Sequence, residues 1–181
     1  MIEEHIKAVE SIDLNEVMKV VTVITKALDK GNKLLIIGNG GSAADAQHFA
    51  GELMGKFKKE REALPAIALT TNSSILTAIA NDYSFDDIFV RQLEGLAEND
   101  DILFTISTSG NSKNIIEALK WVSEKNIITI GLSGKDGGDM KNYCDYLIKV
   151  DSYNTPRIQE AHILIIHMIC ELVENALFWE H

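Results

Sequence analysis

The chain has 181 residues, of which 46% are hydrophobic, and 27 acidic side chains against 17 basic ones give it a formal net charge of −10. This length and composition predict a soluble globular protein with a single compact domain. The acidic balance argues against an extended nucleic-acid-binding surface, because phosphate backbones are bound through lysine and arginine.

The cysteines and the first residues predict where the protein works. Cys144 and Cys170 lack the short spacing of a zinc knuckle or a redox pair, and two cysteines are too few for a secreted disulfide scaffold. Glu3 and Glu4 stand where a signal peptide needs basic residues, and no apolar stretch approaches the ~20 residues of a membrane span. We therefore expect a cytoplasmic protein with no nucleic-acid or membrane partner.

The first 30 residues have apolar side chains at helical spacing from Glu3 to about Leu28. The segment Ser11 to Asn15 is a plausible break between two amphipathic helices. Nothing in residues 1–30 suggests chemistry, so we expect this segment to serve packing or oligomerisation.

After Gly31, short apolar runs alternate with helical stretches, and each run leads into a loop of small polar residues. The runs cover residues 33–37, 66–69, 102–106, 127–132 and 146–150. Near-continuous apolar strands alternating with helices predict a five-stranded parallel sheet covered on both faces, an α/β fold in three layers. Ligands of such sheets bind beyond the carboxyl ends of the strands, so the polar loops are expected to converge on one crevice.

The first of these loops, Gly38-Asn39-Gly40-Gly41-Ser42-Ala43, nearly fits a dinucleotide-binding fingerprint between a strand and a helix. That fingerprint also needs an acidic residue after the second strand, where this chain has Thr70-Thr71-Asn72. The sequence therefore disfavours a nucleotide site. It predicts a tight strand-to-helix turn with Ser42 as the N-cap of the helix.

The second loop, Ser107-Thr108-Ser109-Gly110-Asn111-Ser112, has four hydroxyl side chains before a helix that starts near Ser112. A helix N-terminus presents unpaired N–H groups and a partial positive charge, and capping alone needs only one hydroxyl. This loop predicts a neutral cradle for a phosphate dianion. A phosphate ligand is therefore compatible with the acidic net charge.

The helix after Ser42 contains Asp45, His48 and Glu52. His48 and Glu52 are four residues apart, so they share one helix face at about 6 Å. This spacing suits a metal-binding or an acid/base pair, although such pairs also occur by chance on exposed faces. Because the helix starts at the glycine loop, its first turns are expected to border the crevice.

The last predicted helix runs from about Thr155 to Phe178 and is apolar nearly all round, which predicts burial. Its polar residues Gln159, His162 and His167 therefore require an explanation. Gln159 and His167 are separated by about 12 Å along the axis, so a shared ligand requires both side chains to lean towards it. Spacing alone does not decide which of the two histidines is functional.

Taken together, these motifs resemble the sugar isomerase (SIS) domain family, specifically the phosphoheptose isomerases, over the whole of residues 1–181. The combination is far more specific than any single motif. The residues that carry the resemblance are Gly38-Asn39-Gly40-Gly41-Ser42, Gln47-His48-Phe49-Ala50 with Glu52, Asn81-Asp82, Ser107 to Ser112, Arg157-Ile158-Gln159-Glu160 and His167.

The resemblance implies a single SIS domain, a homotetramer with sites at subunit interfaces, and isomerisation of sedoheptulose 7-phosphate to D-glycero-D-manno-heptose 7-phosphate. That reaction leads to activated heptose for lipopolysaccharide or capsule. The implied substrate contacts are Asn39, Gly40, Gly41, Ser42, Glu52, Asn81, Asp82, Ser107, Thr108, Ser109, Ser112 and Gln159. The implied ligands of one zinc ion per subunit are His48, Glu52, Gln159 and His167.

The resemblance also implies that Glu52 and His167 form the acid/base pair, which selects His167 over His162. Moving a carbonyl between two carbons through an enediol requires groups that remove and return a proton. Zinc would polarise the carbonyl or fix the ketose oxygens. A residue bound tightly to zinc is a weak base, so either its ligation is exchanged on substrate binding or the metal is partly structural.

The alternative is a non-catalytic, DiaA-like SIS protein that binds the replication initiator. Such proteins share Gln47-His48-Phe49-Ala50 and Leu76 to Asp82 but resemble a family without the acid at position 52 and the histidine at position 167. This chain has both residues, which favours the enzyme. It departs from the isomerases at Lys56, where arginine is frequent, and at Pro156, where some have aspartate.

Overall fold

The fold is that of a computed structural model, and residues 1–178 are described. Its strands are β1 (Leu34–Gly38), β2 (Ala66–Ala68), β3 (Ile102–Ser107), β4 (Ile128–Ser133) and β5 (Tyr146–Lys149). Its α-helices are α1 (Ile2–Glu10), α2 (Leu14–Asp29), α3 (Gly41–Met54), α4 (Ser73–Asp82), α5 (Val90–Leu96), α6 (Lys113–Val122) and α7 (Thr155–Leu177). Two short 3₁₀ turns cover Phe85–Asp87 and Gly138–Asn142.

All five strands are parallel, in the order β2-β1-β3-β4-β5. The chain leaves β1 towards β2 on one side and returns to place β3 on the other side. The order therefore reverses between β1 and β3, where Gly38 is in register with Ile106. Such a reversal opens a crevice beyond the carboxyl ends of the two strands.

Helices cover both faces of the sheet, which confirms the predicted three-layer α/β fold. Every residue of β1 and β3 is buried, as expected for strands covered on both sides. On one face Leu34 and Phe104 join a core with α2, α3 and α7, and on the other Leu35 and Leu103 join a core with α6.

The N-terminal segment consists of two helices, and the predicted break between them is confirmed. Asp13 caps α2 by accepting a hydrogen bond from the backbone N–H of Asn15 at 2.9 Å. Both helices pack on α7, and His5 of α1 is hydrogen-bonded to Glu160 of α7 at 2.8 Å. The segment therefore covers the last helix rather than the ligand crevice.

Helix α7 is buried less completely than its composition predicts. One face packs into the core through Ile158, Ile165 and Ile169, whereas Ile163 and Met168 are only half-buried. The expectation of burial all round was therefore wrong for the isolated chain. Within residues 1–178, no helix is long and apolar enough to cross a membrane.

Candidate active site

The loops after β1 and β3 meet at the strand reversal and enclose a cavity of about 320 Å³. Helix α7 closes one side of this cavity through Thr155 and Gln159. The lining includes nine of the twelve residues that the family resemblance implies as substrate contacts. These nine are Asn39, Gly40, Gly41, Ser42, Ser107, Thr108, Ser109, Ser112 and Gln159.

The glycine loop turns from β1 directly into α3. Gly40 has a φ of +55°, which only glycine adopts readily, and it is the N-cap of the helix. The expectation that Ser42 caps α3 was wrong, because the helix begins two residues earlier than that, at Gly41, and Ser42 lies in its first turn. The Ser42 hydroxyl is therefore not used for capping and lies at the cavity.

Gly41 allows α7 to approach the glycine loop. A Cβ atom at position 41 would overlap the side-chain amide of Gln159. The Gln159 amide therefore rests directly on the start of α3 and closes the cavity. Any side chain larger than hydrogen at position 41 would displace it.

The hydroxyl loop is held in shape by its own side chains. Ser107 Oγ accepts a hydrogen bond from the Gly110 N–H at 3.2 Å and lies 3.2 Å from Ser112 Oγ. Ser112 is the N-cap of α6, as predicted, although within the described chain its side chain makes no capping hydrogen bond. The loop thus presents hydroxyls and the positive end of α6 to the cavity, an arrangement suited to an anion.

Two residues of this region were missed by the sequence analysis. Asn114 is 2% exposed, and its side-chain amide exchanges two hydrogen bonds of 2.9 and 3.0 Å with that of Asn39. This pair locks the loop after β1 to α6. An asparagine inside a helix was the available signal, because that residue favours caps and turns. Thr155 lines the cavity and gave no signal beyond starting α7.

A second cluster, formed by His48, Glu52 and His167, joins α3 to α7. His48 Nε2 lies 2.9 Å from Glu52 Oε1 and 3.1 Å from His167 Nε2. One ligand atom from each residue lies within 4.8 Å of the other two. Helical spacing predicted the first contact, and the fold adds His167 from 119 residues away.

The donor set of this cluster fits a metal ion. His48 Nε2 can hold only one proton, so it cannot donate to both Glu52 and His167. Three atoms with lone pairs therefore converge on one region, where a cation would satisfy all of them. Two imidazoles and one carboxylate are a common protein ligand set for zinc.

His162 has a different environment from His167 on the same helix. It is fully buried, and its Nε2 lies 3.2 Å from the carbonyl oxygen of Ser133. Burial lowers its pKa to about 4, although the Ser133 carbonyl opposes this change. His162 is therefore a neutral core residue, and the geometry places His167 at the cluster.

Asp45 lies one helical turn before His48 on α3. Burial raises its pKa to about 6, and the charge of the nearby His48 opposes the rise. Its Oδ2 atom is buried and has no hydrogen-bond partner among the described residues. The cluster thus has a carboxyl neighbour that is easily protonated.

Other predicted site residues lie elsewhere in the chain. Asn81 and Asp82 are exposed at the end of α4 and are hydrogen-bonded to each other at 2.8 Å. Within residues 1–178, the cavity lining does not include them. Gln159 contacts the start of α3 at Gly41, whereas His167 contacts the same helix about two turns later, at His48. The single chain thus gathers the hydroxyl cavity and the metal-type cluster but not the end of α4.

The two departures from the isomerase pattern have simple local settings. Lys56 is exposed and pairs with Glu60. Pro156 occupies the first turn of α7, where the missing backbone N–H has no intrahelical partner to lose. Neither residue disturbs the cavity or the cluster.

Comparison with known proteins identifies close relatives of this sequence. A family model described as "SIS domain" matches residues 1–134. The "Phosphoheptose isomerase" of Pelobacter propionicus is 57% identical over 155 residues, which cover 86% of this chain and 82% of the relative. The "Phosphoheptose isomerase 1" of Campylobacter jejuni is 52% identical over 176 residues, covering 96% and 95%.

Solved structures give the same result. The structure of phosphoheptose isomerase GmhA from Neisseria gonorrhoeae matches with a TM-score of 0.90 at 43% identity, covering 96% of this chain and 95% of that one. A phosphoheptose isomerase from Francisella tularensis also gives a TM-score of 0.90, at 36% identity, with coverages of 96% and 92%. These matches agree with the predicted SIS fold.

Proposed function

The chain belongs to the SIS domain family, and within it to the phosphoheptose isomerases; on that premise we propose how its own residues carry out the reaction. The substrate is sedoheptulose 7-phosphate and the product is D-glycero-D-manno-heptose 7-phosphate. The observation that carries this proposal is the meeting of Glu52, His48 and His167 on α3 and α7, the two helices whose first turns also line the hydroxyl cavity.

The phosphate of the substrate binds in the hydroxyl loop. Ser107, Thr108, Ser109 and Ser112 supply neutral donors, and the N-terminus of α6 adds a partial positive charge. The amide pair of Asn39 and Asn114 holds the facing loop in place. Neutral donors of this kind explain how an acidic chain binds an anionic sugar.

Glu52 and His167 exchange the proton between C1 and C2. Their ligand atoms lie within 4.8 Å of each other, close enough for both to reach neighbouring carbons of one substrate. One group removes a proton from C1 and then, as its conjugate acid, returns a proton to C2, while the other moves a proton from O1 to O2 as the enediol forms and collapses. A DiaA-like binding protein would need neither residue, so their juxtaposition favours the enzyme.

Zinc is the proposed cofactor, one ion per subunit, held by His48, Glu52 and His167, with Gln159 as the fourth ligand. When bound, zinc supplies a Lewis acid that polarises a carbonyl or fixes hydroxyl oxygens. Elemental analysis and chelation test this assignment. We expect close to one zinc ion per chain and loss of activity with chelator, whereas full activity in metal-free protein would remove zinc from the proposal.

The working unit proposed is a homotetramer whose sites include Asn81 and Asp82 from a neighbouring subunit. Two features support it: large apolar side chains such as Ile2 and Leu14 are exposed, and α7 is half-buried. Light scattering on the purified protein should give four times the chain mass, and a monomer with full activity would contradict the proposal.

The proposed setting is the cytoplasm and the supply of activated heptose for lipopolysaccharide or capsule. Cys144 and Cys170 are both free thiols, as expected for a reducing compartment. Burial raises the pKa of each thiol to about 12, so neither is poised to react.

A substrate panel tests the proposed reaction most simply. The purified protein is incubated with ketose phosphates of five, six and seven carbons, and the aldose phosphate formed is measured. We expect the highest kcat/KM with sedoheptulose 7-phosphate. Turnover of the shorter sugars alone would overturn the substrate assignment, and no turnover of any of them would overturn the isomerase.

A further inference from the structure

A buried ion pair lies behind the cluster of His48, Glu52 and His167. The side chains of Arg61 and Glu174 are only 1% and 2% exposed, and Arg61 Nε lies 3.3 Å from Glu174 Oε2. A charged pair is costly to bury unless hydrogen bonds satisfy its remaining atoms. Both residues have such bonds, which tie the pair to the end of α3 and to the loop that follows it.

Arg61 binds the end of the helix that carries Glu52. Its guanidinium donates to the carbonyl oxygens of Glu52 and Leu53, each at 2.9 Å. The guanidinium also donates a hydrogen bond of 2.9 Å to the carbonyl oxygen of the next residue, Glu62. The last carbonyls of a helix have no intrahelical partner, and Arg61 supplies one for this turn. It thereby fixes the backbone of Glu52 itself.

Glu174 binds the loop that follows α3. Its carboxylate accepts the backbone N–H groups of Phe57 and Lys58, each at 3.0 Å, and that of Lys59. Burial alone would raise the pKa of Glu174, but these donors and Arg61 outweigh burial and lower it. The carboxylate therefore stays ionised and holds the loop against α7.

The loop held by Glu174 contacts His167 directly. The ring of Phe57 lies 5.5 Å from the ring of His167, centroid to centroid, at an interplanar angle of 38°. His167 is seven residues before Glu174 on α7, about two helical turns. One buried pair thus fixes the backbone of Glu52 on one side and the aromatic neighbour of His167 on the other.

We propose that Arg61 and Glu174 are positioning residues that set the separation of Glu52 and His167 for proton transfer. This inference rests on the proposed function of that pair. Neither residue touches the hydroxyl cavity, so substrate binding through the phosphate is left intact when they change. Proton transfer depends steeply on distance, and a misplacement of ~1 Å can cost about 100-fold in rate.

The chain offers a matched control in a second buried carboxylate that does not contact α3 or α7. Asp101 is also buried, lies 2.8 Å from Lys33 Nζ and accepts the backbone N–H groups of Lys33 and Glu98. It has the same chemistry as Glu174 but lies at the amino ends of β1 and β3. Asp101→Asn therefore measures the effect of weakening a buried pair that does not reach the cluster.

The test compares Arg61→Lys, Glu174→Gln and Asp101→Asn in the intact protein, each assayed well below its own Tm. We expect Arg61→Lys and Glu174→Gln to lower kcat about tenfold or more, with KM for sedoheptulose 7-phosphate unchanged. Asp101→Asn should lower Tm with kcat and KM at wild-type values. If all three variants have a lowered Tm and an unchanged kcat, the pair of Arg61 and Glu174 is merely structural and the proposal is overturned.

Histidine ring resonances give a readout that needs no turnover. In protein with labelled histidine, the ring shifts of His48 and His167 should move in Arg61→Lys and Glu174→Gln but not in Asp101→Asn. Unchanged ring shifts in both Arg61→Lys and Glu174→Gln would overturn the positioning role. If the wild type turns over no ketose phosphate, the proposed function fails, and these shifts still decide whether the pair positions the cluster. Should Arg61→Lys not fold, Glu174→Gln decides alone.

Discussion

Two polar clusters of the molecule, one around Asp101 and one around His48, use the same chemistry for different purposes. At the amino edge, Asp101 is 1% exposed and its carboxylate is satisfied by two backbone N–H groups and the Lys33 ammonium. In the second cluster, between α3 and α7, Glu52 and His167 are half-buried, and both converge on a single nitrogen of His48. The first cluster is complete within the chain, whereas the second retains capacity for a cation or a substrate.

This difference indicates how to recognise a site in a fold of this kind. Most buried polar groups in a stable core are hydrogen-bonded, because an unpaired one costs about 1–3 kcal/mol. A cluster whose donors and acceptors do not balance internally needs a ligand to complete it. Four predictions test whether the two clusters differ in this way, from the largest expected effect to the smallest.

The largest effect is expected from the acid/base pair. Glu52→Gln and His167→Asn should each lower kcat about 10²- to 10⁴-fold, the usual contribution of a general acid or base. Initial rates with sedoheptulose 7-phosphate measure this loss. The exposed carboxylate variant Glu117→Gln is the control and should match the wild type, and wild-type rates in either site variant would contradict the assignment.

The hydroxyl loop should affect binding more than turnover. Ser112→Ala removes a hydroxyl from the phosphate cradle without removing a cap hydrogen bond from α6. A hydrogen bond to a charged group contributes about 1.5–3 kcal/mol, so KM should rise roughly ten- to hundredfold with little change in Tm. Ser123→Ala, at the other end of α6, is the matched control. An unchanged KM in Ser112→Ala would place the phosphate elsewhere.

The buried His162 should make stability depend on pH. Its pKa is about 4 in the folded chain and 6.5 ordinarily, so between these values only the unfolded chain takes up the proton. The free energy of unfolding should therefore decrease as the pH falls from about 6.5 to about 4, by at most about 3 kcal/mol. Denaturant titrations at several pH values measure this free energy, which should depend less steeply on pH in His162→Gln than in the wild type. Equal pH dependence in the two proteins would contradict a neutral core histidine.

The smallest effect is expected at the amino edge. Asp101→Asn keeps an acceptor oxygen but loses the charge opposite Lys33, so unfolding should require about 1–3 kcal/mol less free energy. Turnover should not change, because nothing at this edge reaches the cavity. A loss of kcat in folded Asp101→Asn would remove the distinction between the two clusters.

The architecture was largely predictable from sequence because it follows from local pattern. Apolar runs located all five strands to within about a residue, and the small polar loops identified the carboxyl edge. His48 and Glu52 were paired by helical spacing alone. The resemblance to a known family then selected His167 over His162, a choice that local pattern had left open.

The errors and omissions share a different origin. The N-cap of α3 is Gly40 and not the predicted Ser42, because the positive φ of Gly40 turns the chain into the helix two residues earlier. The contacts of Asn39 with Asn114 and of Arg61 with Glu174 join residues 75 and 113 positions apart. No local periodicity reports such contacts, so the supports of the site became visible only in the fold.

Solvent exchange tests the central claim most directly. The wild-type protein and Glu52→Gln are incubated with sedoheptulose 7-phosphate in deuterated water, and deuterium at C2 of the aldose product is measured. Proton removal and return through an enediol predicts deuterium at C2 of the product formed by the wild type. Glu52→Gln should form little or no deuterated product. Product without deuterium, or equal incorporation by the variant, would contradict proton transfer by Glu52.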